Sequence, residues 1–109
     1  MRTINQTKKT VIAENILIPT SLLDQSLGLL KYKKPRAILF KTRFGIHTIG
    51  MKYAIDVLIL DKNNKVAAIK KNLKPNKIFL WNPKFQTVIE LPSGTIEKTK
   101  TQLQDKLLF

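Results

Sequence analysis

Six consecutive residues, Ile55-Asp56-Val57-Leu58-Ile59-Leu60, are apolar on both alternating faces apart from one carboxylate. A run this short, rich in branched side chains and apolar on either side, reads as a strand buried from both directions at the centre of a sheet. It constrains the whole chain, because a strand covered on two faces needs neighbours beside it, above it and below it. Asp56 shares a face with Leu58 and Leu60, so a carboxylate stands at the margin of an apolar surface and requires a charged or hydrogen-bonding partner there.

Around this strand, turn signals recur about every ten residues. Arg2 to Asn5 and Thr10 to Ile18 read as a hairpin joined through Gln6-Thr7-Lys8-Lys9, and Pro19-Thr20-Ser21 stops it and caps a short helix over Leu22 to Leu30. Arg36 to Phe40 reads as a strand, Thr42 to Ile46 as a turn, and Lys62-Asn63-Asn64-Lys65 as a tight turn leading into Val66 to Lys70. Ile78 to Trp81 and Gln86 to Leu91 add two strands, Thr95 to Gln104 holds a helical turn, and Leu107 to Phe109 adds an edge strand. The pattern predicts a mainly β protein, a small β-barrel or sandwich of about seven short strands with one short helix, in a single domain over residues 1–109.

Composition closes several routes. With no cysteine, disulfides, thiolate metal sites and cysteine nucleophiles are excluded. One histidine and 7 acidic residues make a poor metal shell, so no metal and no cofactor is expected. The longest apolar run falls far short of a membrane helix, and no apolar segment follows the basic start of the chain; a cytoplasmic setting is the expectation.

The net charge of +13 invites a polyanion partner, since such a field attracts nucleic acid or an anionic surface. Lys31, Lys33, Lys34, Arg36, Lys41 and Arg43 form one stretch without an acid. Lys62, Lys65, Lys70, Lys71, Lys74 and Lys77 form another opposed only by Asp61. Of the 20 basic residues only Arg2, Arg36 and Arg43 are arginines, whereas base readout favours the planar guanidinium. Phe79 and Trp81 alternate as strand residues do, which favours core packing over base stacking.

The order Ile46-His47-Thr48, Gly50-Met51-Lys52, Ile55-Asp56-Val57, then Glu90-Leu91-Pro92-Ser93-Gly94-Thr95 resembles domain-of-unknown-function family 192, with its H-T-x-x-M-[RK]-x-x-I-D-V core and E-L-P-[AS]-G segment. The resemblance covers about residues 10 to 109. It implies a compact, mainly β domain, often encoded alone and sometimes exported, with no agreed reaction or ligand.

Within these motifs His47, Met51, Lys52, Asp56 and Glu90 are the candidate ligand pocket, with the polar groups gathered at one end of the sheet. Against it stands a structural reading, in which Asp56 bonds backbone amides and His47 satisfies a turn. Catalysis by His47 and Asp56, with Glu90 as second carboxylate, lacks an accompanying nucleophile or phosphate loop. Three functions follow: a noncatalytic binding module with a small polar pocket, a nucleic-acid-binding protein using the lysine faces, or a hydrolytic enzyme.

Overall fold

The computed structural model describes residues 1–19 and 34–109. The helix expected over Leu22 to Leu30, and with it Lys31 and Lys33, lies outside the described residues.

The run Ile55–Leu60 forms strand β5, buried at every position, and it occupies an interior place in a four-stranded antiparallel sheet. The sheet order is β3 (Ile38–Lys41), β8 (Thr87–Pro92), β5, β6 (Val66–Leu73). A second sheet joins the ends of the chain: β1 (Thr3–Asn5) lies between β2 (Thr10–Ala13) and β9 (Leu107–Leu108). A third is a two-stranded ribbon of β4 (Gly45–His47) and β7 (Ile78–Leu80). The only helix among the described residues is α1 (Thr95–Thr99). The fold is mainly β, as the sequence predicts, with nine strands among the described residues where about seven are read from the sequence.

Alternation along β5 divides the core. Leu58 and Leu60 pack with Ile89, Leu91, Ile12, Ile96 and Leu107, beneath the terminal sheet and α1. Ile55, Val57 and Ile59 pack with Ile38, Val88 and Met51, and there Phe79, Trp81 and Ile46 of the ribbon side close the layer. The four-stranded sheet is thus covered on both faces, and burying such residues contributes roughly 1.5–3 kcal/mol for each large side chain.

The ribbon is the main departure from the sequence reading, which makes Thr42 to Ile46 a turn. Gly45 pairs with Leu80 across the ribbon, and a Cβ at Gly45 would lie 2.5 Å from Leu80 Cδ2 and 2.7 Å from the Phe79 carbonyl oxygen. The glycine is needed for strand-to-strand approach rather than for turning. The turn at Asn63-Asn64 forms as expected, with Asn64 at φ 61.

A buried polar network locks the terminal sheet to the segment after α1. Asn5 Nδ2 donates to Thr101 Oγ1 at 3.1 Å and to Asp105 Oδ2 at 2.9 Å, and Lys8 Nζ reaches Asp105 Oδ1 at 2.8 Å. Burial alone would raise the Asp105 carboxyl, but bonds from Asn5, Lys8 and the Gln102 amide outweigh it and hold the group below its ordinary range.

Candidate functional site

Antiparallel pairing puts paired residues on the same side of a sheet. Asp56 pairs with Leu91, and Val57 pairs with Glu90. Asp56 therefore points with Leu58 and Leu91 toward the helix face, and Glu90 points with Val57 toward the ribbon face. The two carboxylates expected to share one pocket are separated by the sheet.

Asp56, 1% exposed, is bonded on both oxygens. The Asn72 amide donates to Oδ1 at 2.9 Å; the amides of Gly94 and Ile96 donate to Oδ2 at 3.1 and 2.9 Å. These contacts explain the local sequence. The short helix α1 has no side-chain cap of its own at Gly94, so a carboxylate from β5 takes its first amides. Gly94 sits at φ 96, where a side chain would be strained. On the other side, two steps along β5 span three along β6, a bulge that carries Asn72 at φ 52. Ser93 Oγ bonds Asn72 Oδ1 at 2.9 Å, tying the bulge to the turn before α1.

Thr48, one residue past the histidine, holds a second loop. It is fully buried, and its Oγ1 donates to the Lys74 carbonyl at 2.6 Å and accepts the Lys77 amide at 2.9 Å. Its carbonyl accepts the amides of Met51 and Asn76, both at 3.0 Å, and its amide donates to the Lys77 carbonyl. The β6–β7 connection, with Asn76 at φ 62, is thereby fixed to the end of β4.

The remaining pocket candidates are dispersed. His47 is exposed, and its Nδ1 accepts the Ile49 amide at 3.3 Å, within its own turn. Lys52 is exposed. Met51 is buried in the ribbon-side core. Glu90 is buried beneath the same face; burial and then the charge of Glu90 raise the Tyr53 hydroxyl above its ordinary value. Among the described residues no three histidine, aspartate or glutamate side chains come together in a group that would hold a metal.

Between the Asp56 and Thr48 anchors, a solvent-open recess of about 220 Å³ is lined by Lys70, Asn72, Leu73, Lys74, Lys77 and Ile78. Asp56 fixes the backbone of Asn72, and Thr48 fixes that of Lys74 and Lys77. Among the described residues none of the three ammonium groups has an ion-pair or hydrogen-bond partner. Lys71 points elsewhere, pairing with Glu97 at 2.9 Å. Of the first basic stretch, Arg43 donates to Gln86 and Lys41 is exposed. Arg36 is exposed, and the Lys34 carbonyl lies 3.5 Å from the Tyr53 hydroxyl. Phe79 and Trp81 are half-buried with ring centres 5.6 Å apart, and Trp81 Nε1 donates to the Phe85 carbonyl. Their rings serve the core.

The sequence reading singles out Asp56 and places Lys77 in a basic stretch, but it assigns no role to Thr48, Asn72 or Ser93. Asparagine at 72 and 76 is the available signal, since it is the residue that most readily takes a left-handed backbone after glycine.

The family model DUF192, described as Uncharacterized ACR, matches residues 3–109. The chain belongs to this family. UPF0127 protein PH1112 of Pyrococcus horikoshii is 33% identical over 111 residues, with 95% of each chain covered. UPF0127 protein PF1050 of Pyrococcus furiosus is 29% identical, covering 95% of this chain and 94% of that relative. Two solved structures share the fold of this DUF192 chain. A protein of unknown function from Novosphingobium aromaticivorans superposes with a TM-score of 0.80 at 14% identity, covering 99% of this chain and 83% of that one. A candidate transcription regulator from Sinorhizobium meliloti gives 0.77 at 15%, covering 98% and 89%.

Proposed function

We propose that this DUF192 chain is a single-domain, noncatalytic binding module whose ligand is anionic and whose site is the lysine-lined recess between β6 and β7. The observation that carries this reading is the set of three ammonium groups, Lys70, Lys74 and Lys77, around one recess with no acidic partner among the described residues. An isolated lysine on a surface is ordinary. Three on a backbone anchored by buried Asp56 and Thr48 need no backbone ordering when a ligand arrives, so only side-chain entropy opposes binding.

Asp56 and Thr48 act in this reading as positioning residues. Asp56 is not available as a base or ligand, because both oxygens already accept amides. Met51 and Glu90 belong to the ribbon-side core, and His47 and Lys52 stand on the exposed border.

Calorimetric titration with inorganic pyrophosphate at near-physiological salt tests the reading. Binding is expected, and it weakens by about tenfold when Lys74 and Lys77 are both changed to glutamine, the loss of one or two charge-assisted contacts. Undetectable binding, or binding indifferent to these changes, overturns it.

The lysines also favour a second reading, nucleic-acid binding by the lysine-rich strand β6 and the connection after it. That reading requires binding to mixed-sequence RNA or DNA that persists at near-physiological salt and falls on neutralising Lys70, Lys71 and Lys74. Binding confined to dilute buffer contradicts it.

A further inference from the structure

Beside the recess, the β4–β7 ribbon presents apolar side chains outward. Ile78 is 66% exposed and Leu80 69%; Phe44, just before β4, is 65% exposed, and Ile49, just after it, 55%. The register shows how this arises. Gly45 pairs with Leu80 and His47 with Ile78, so these positions occupy one face of the ribbon, while Ile46 and Phe79 occupy the other and pack on the core. Single exposed apolar residues are common, but four within one two-stranded ribbon and its flanking residues are a concentration of the kind that marks an interaction surface. Ile78 belongs to both features, since it also lines the recess with Lys70, Lys74 and Lys77.

We propose that this ribbon docks the protein on an anionic lipid bilayer. Phe44, Ile49, Ile78 and Leu80 enter the boundary between headgroups and acyl chains, and Lys70, Lys74 and Lys77 engage lipid phosphates. The assignment rests on the anion-binding reading of the recess and names the source of the anion.

Charge complementarity selects this occupant. A chain carrying +13 is drawn to a negatively charged leaflet, and lysines near such a surface add attraction without a fixed geometry. A second copy of the chain would bring the same three lysines toward their counterparts, and like charges oppose that pairing. Nucleic acid gains little from Ile49, Ile78 and Leu80, because aliphatic side chains offer no stacking surface to bases, and Phe44 supplies a single ring where a stacking groove uses several. An acidic peptide would need a groove for its anchors, whereas here the apolar side chains are themselves more than half exposed.

Co-sedimentation with vesicles at near-physiological salt tests the proposal, using phosphatidylcholine alone and phosphatidylcholine mixed with phosphatidylglycerol. The chain is expected to sediment with the mixed vesicles and not with phosphatidylcholine alone. Ile49→Ser combined with Leu80→Ser, neither of which lines the recess, is expected to weaken vesicle binding by about tenfold or more while leaving pyrophosphate binding intact. Phe44→Asn, which suits the left-handed backbone at φ 74, supplies an independent variant with a smaller loss. Lys74→Gln with Lys77→Gln weakens both ligands.

Absence of vesicle binding, or binding unchanged in both apolar variants, overturns the lipid assignment. If pyrophosphate still binds, the anion-binding reading survives alone. Concentration-dependent dimerisation abolished by the serine pair, without vesicle binding, assigns the face to a second copy and also overturns the proposal.

Discussion

At Asp56 a buried carboxylate spends both oxygens on backbone amides, whereas at the β6–β7 connection three ammonium groups line an open recess with no acid beside them among the described residues. Both regions lie within one strand pair of each other, and Asn72 belongs to each. The difference separates what the fold uses for itself from what it leaves available. A charge whose bonding capacity is filled by the backbone is a structural device; charges held on an anchored backbone without partners are positioned for something else.

The sharpest way to break the comparison is to empty the first region. Asp56→Ala leaves three buried or half-buried amides without their acceptor, and urea unfolding should show a loss of about 3 kcal/mol or more. Unchanged stability would make Asp56 a surface-like group and return it to the list of ligand candidates. Thr48→Val keeps the side-chain shape but removes the hydroxyl bonded to Lys74 and Lys77, and the same measurement should give a loss of about 1–2 kcal/mol.

Asp105 gives a pH test of the same idea at the far end of the core. Its folded carboxyl is held below the unfolded value, so its contribution is complete above about pH 4 and is lost as pH falls through the folded value. Urea midpoints followed on acidification should fall along this limb, and Asp105→Asn should flatten it. An unchanged acid limb would remove Asp105 from the stabilising network. The smallest effect belongs to the second region: Lys74→Gln, Lys77→Gln and Leu80→Ser are each expected to move stability by no more than about 0.5 kcal/mol. Losses well beyond that would mean the recess and ribbon serve folding.

The sequence made some of this legible and not the rest, for physical reasons. β5 is readable because six residues without a polar alternation admit few alternatives, and the turn at Asn64 because asparagine tolerates positive φ. The separation of Asp56 from Glu90 was not readable. It depends on Asp56 pairing with Leu91 rather than with Glu90, and a slip of one residue would have put the carboxylates on one face. Nor was the Asn5–Asp105 bond, whose partners are 100 residues apart. β4 was hidden because Gly45 reads as a turn residue in sequence and serves as a packing residue in the ribbon. The lysine stretch was visible as charge, but sequence alone did not distinguish Lys71, which pairs with Glu97, from Lys70 and Lys74, which pair with no acid among the described residues.

The central claim is that binding belongs to the recess and not to the buried carboxylates. An amide-resolved NMR titration of the labelled chain with inorganic pyrophosphate at near-physiological salt tests it most directly. The account predicts saturable shifts concentrated at Lys70, Asn72, Lys74, Lys77 and Ile78, with Leu58 and Val57 in the sheet interior unmoved. Shifts centred instead on His47, Met51 and Glu90, or no saturable shifts at all, would contradict it.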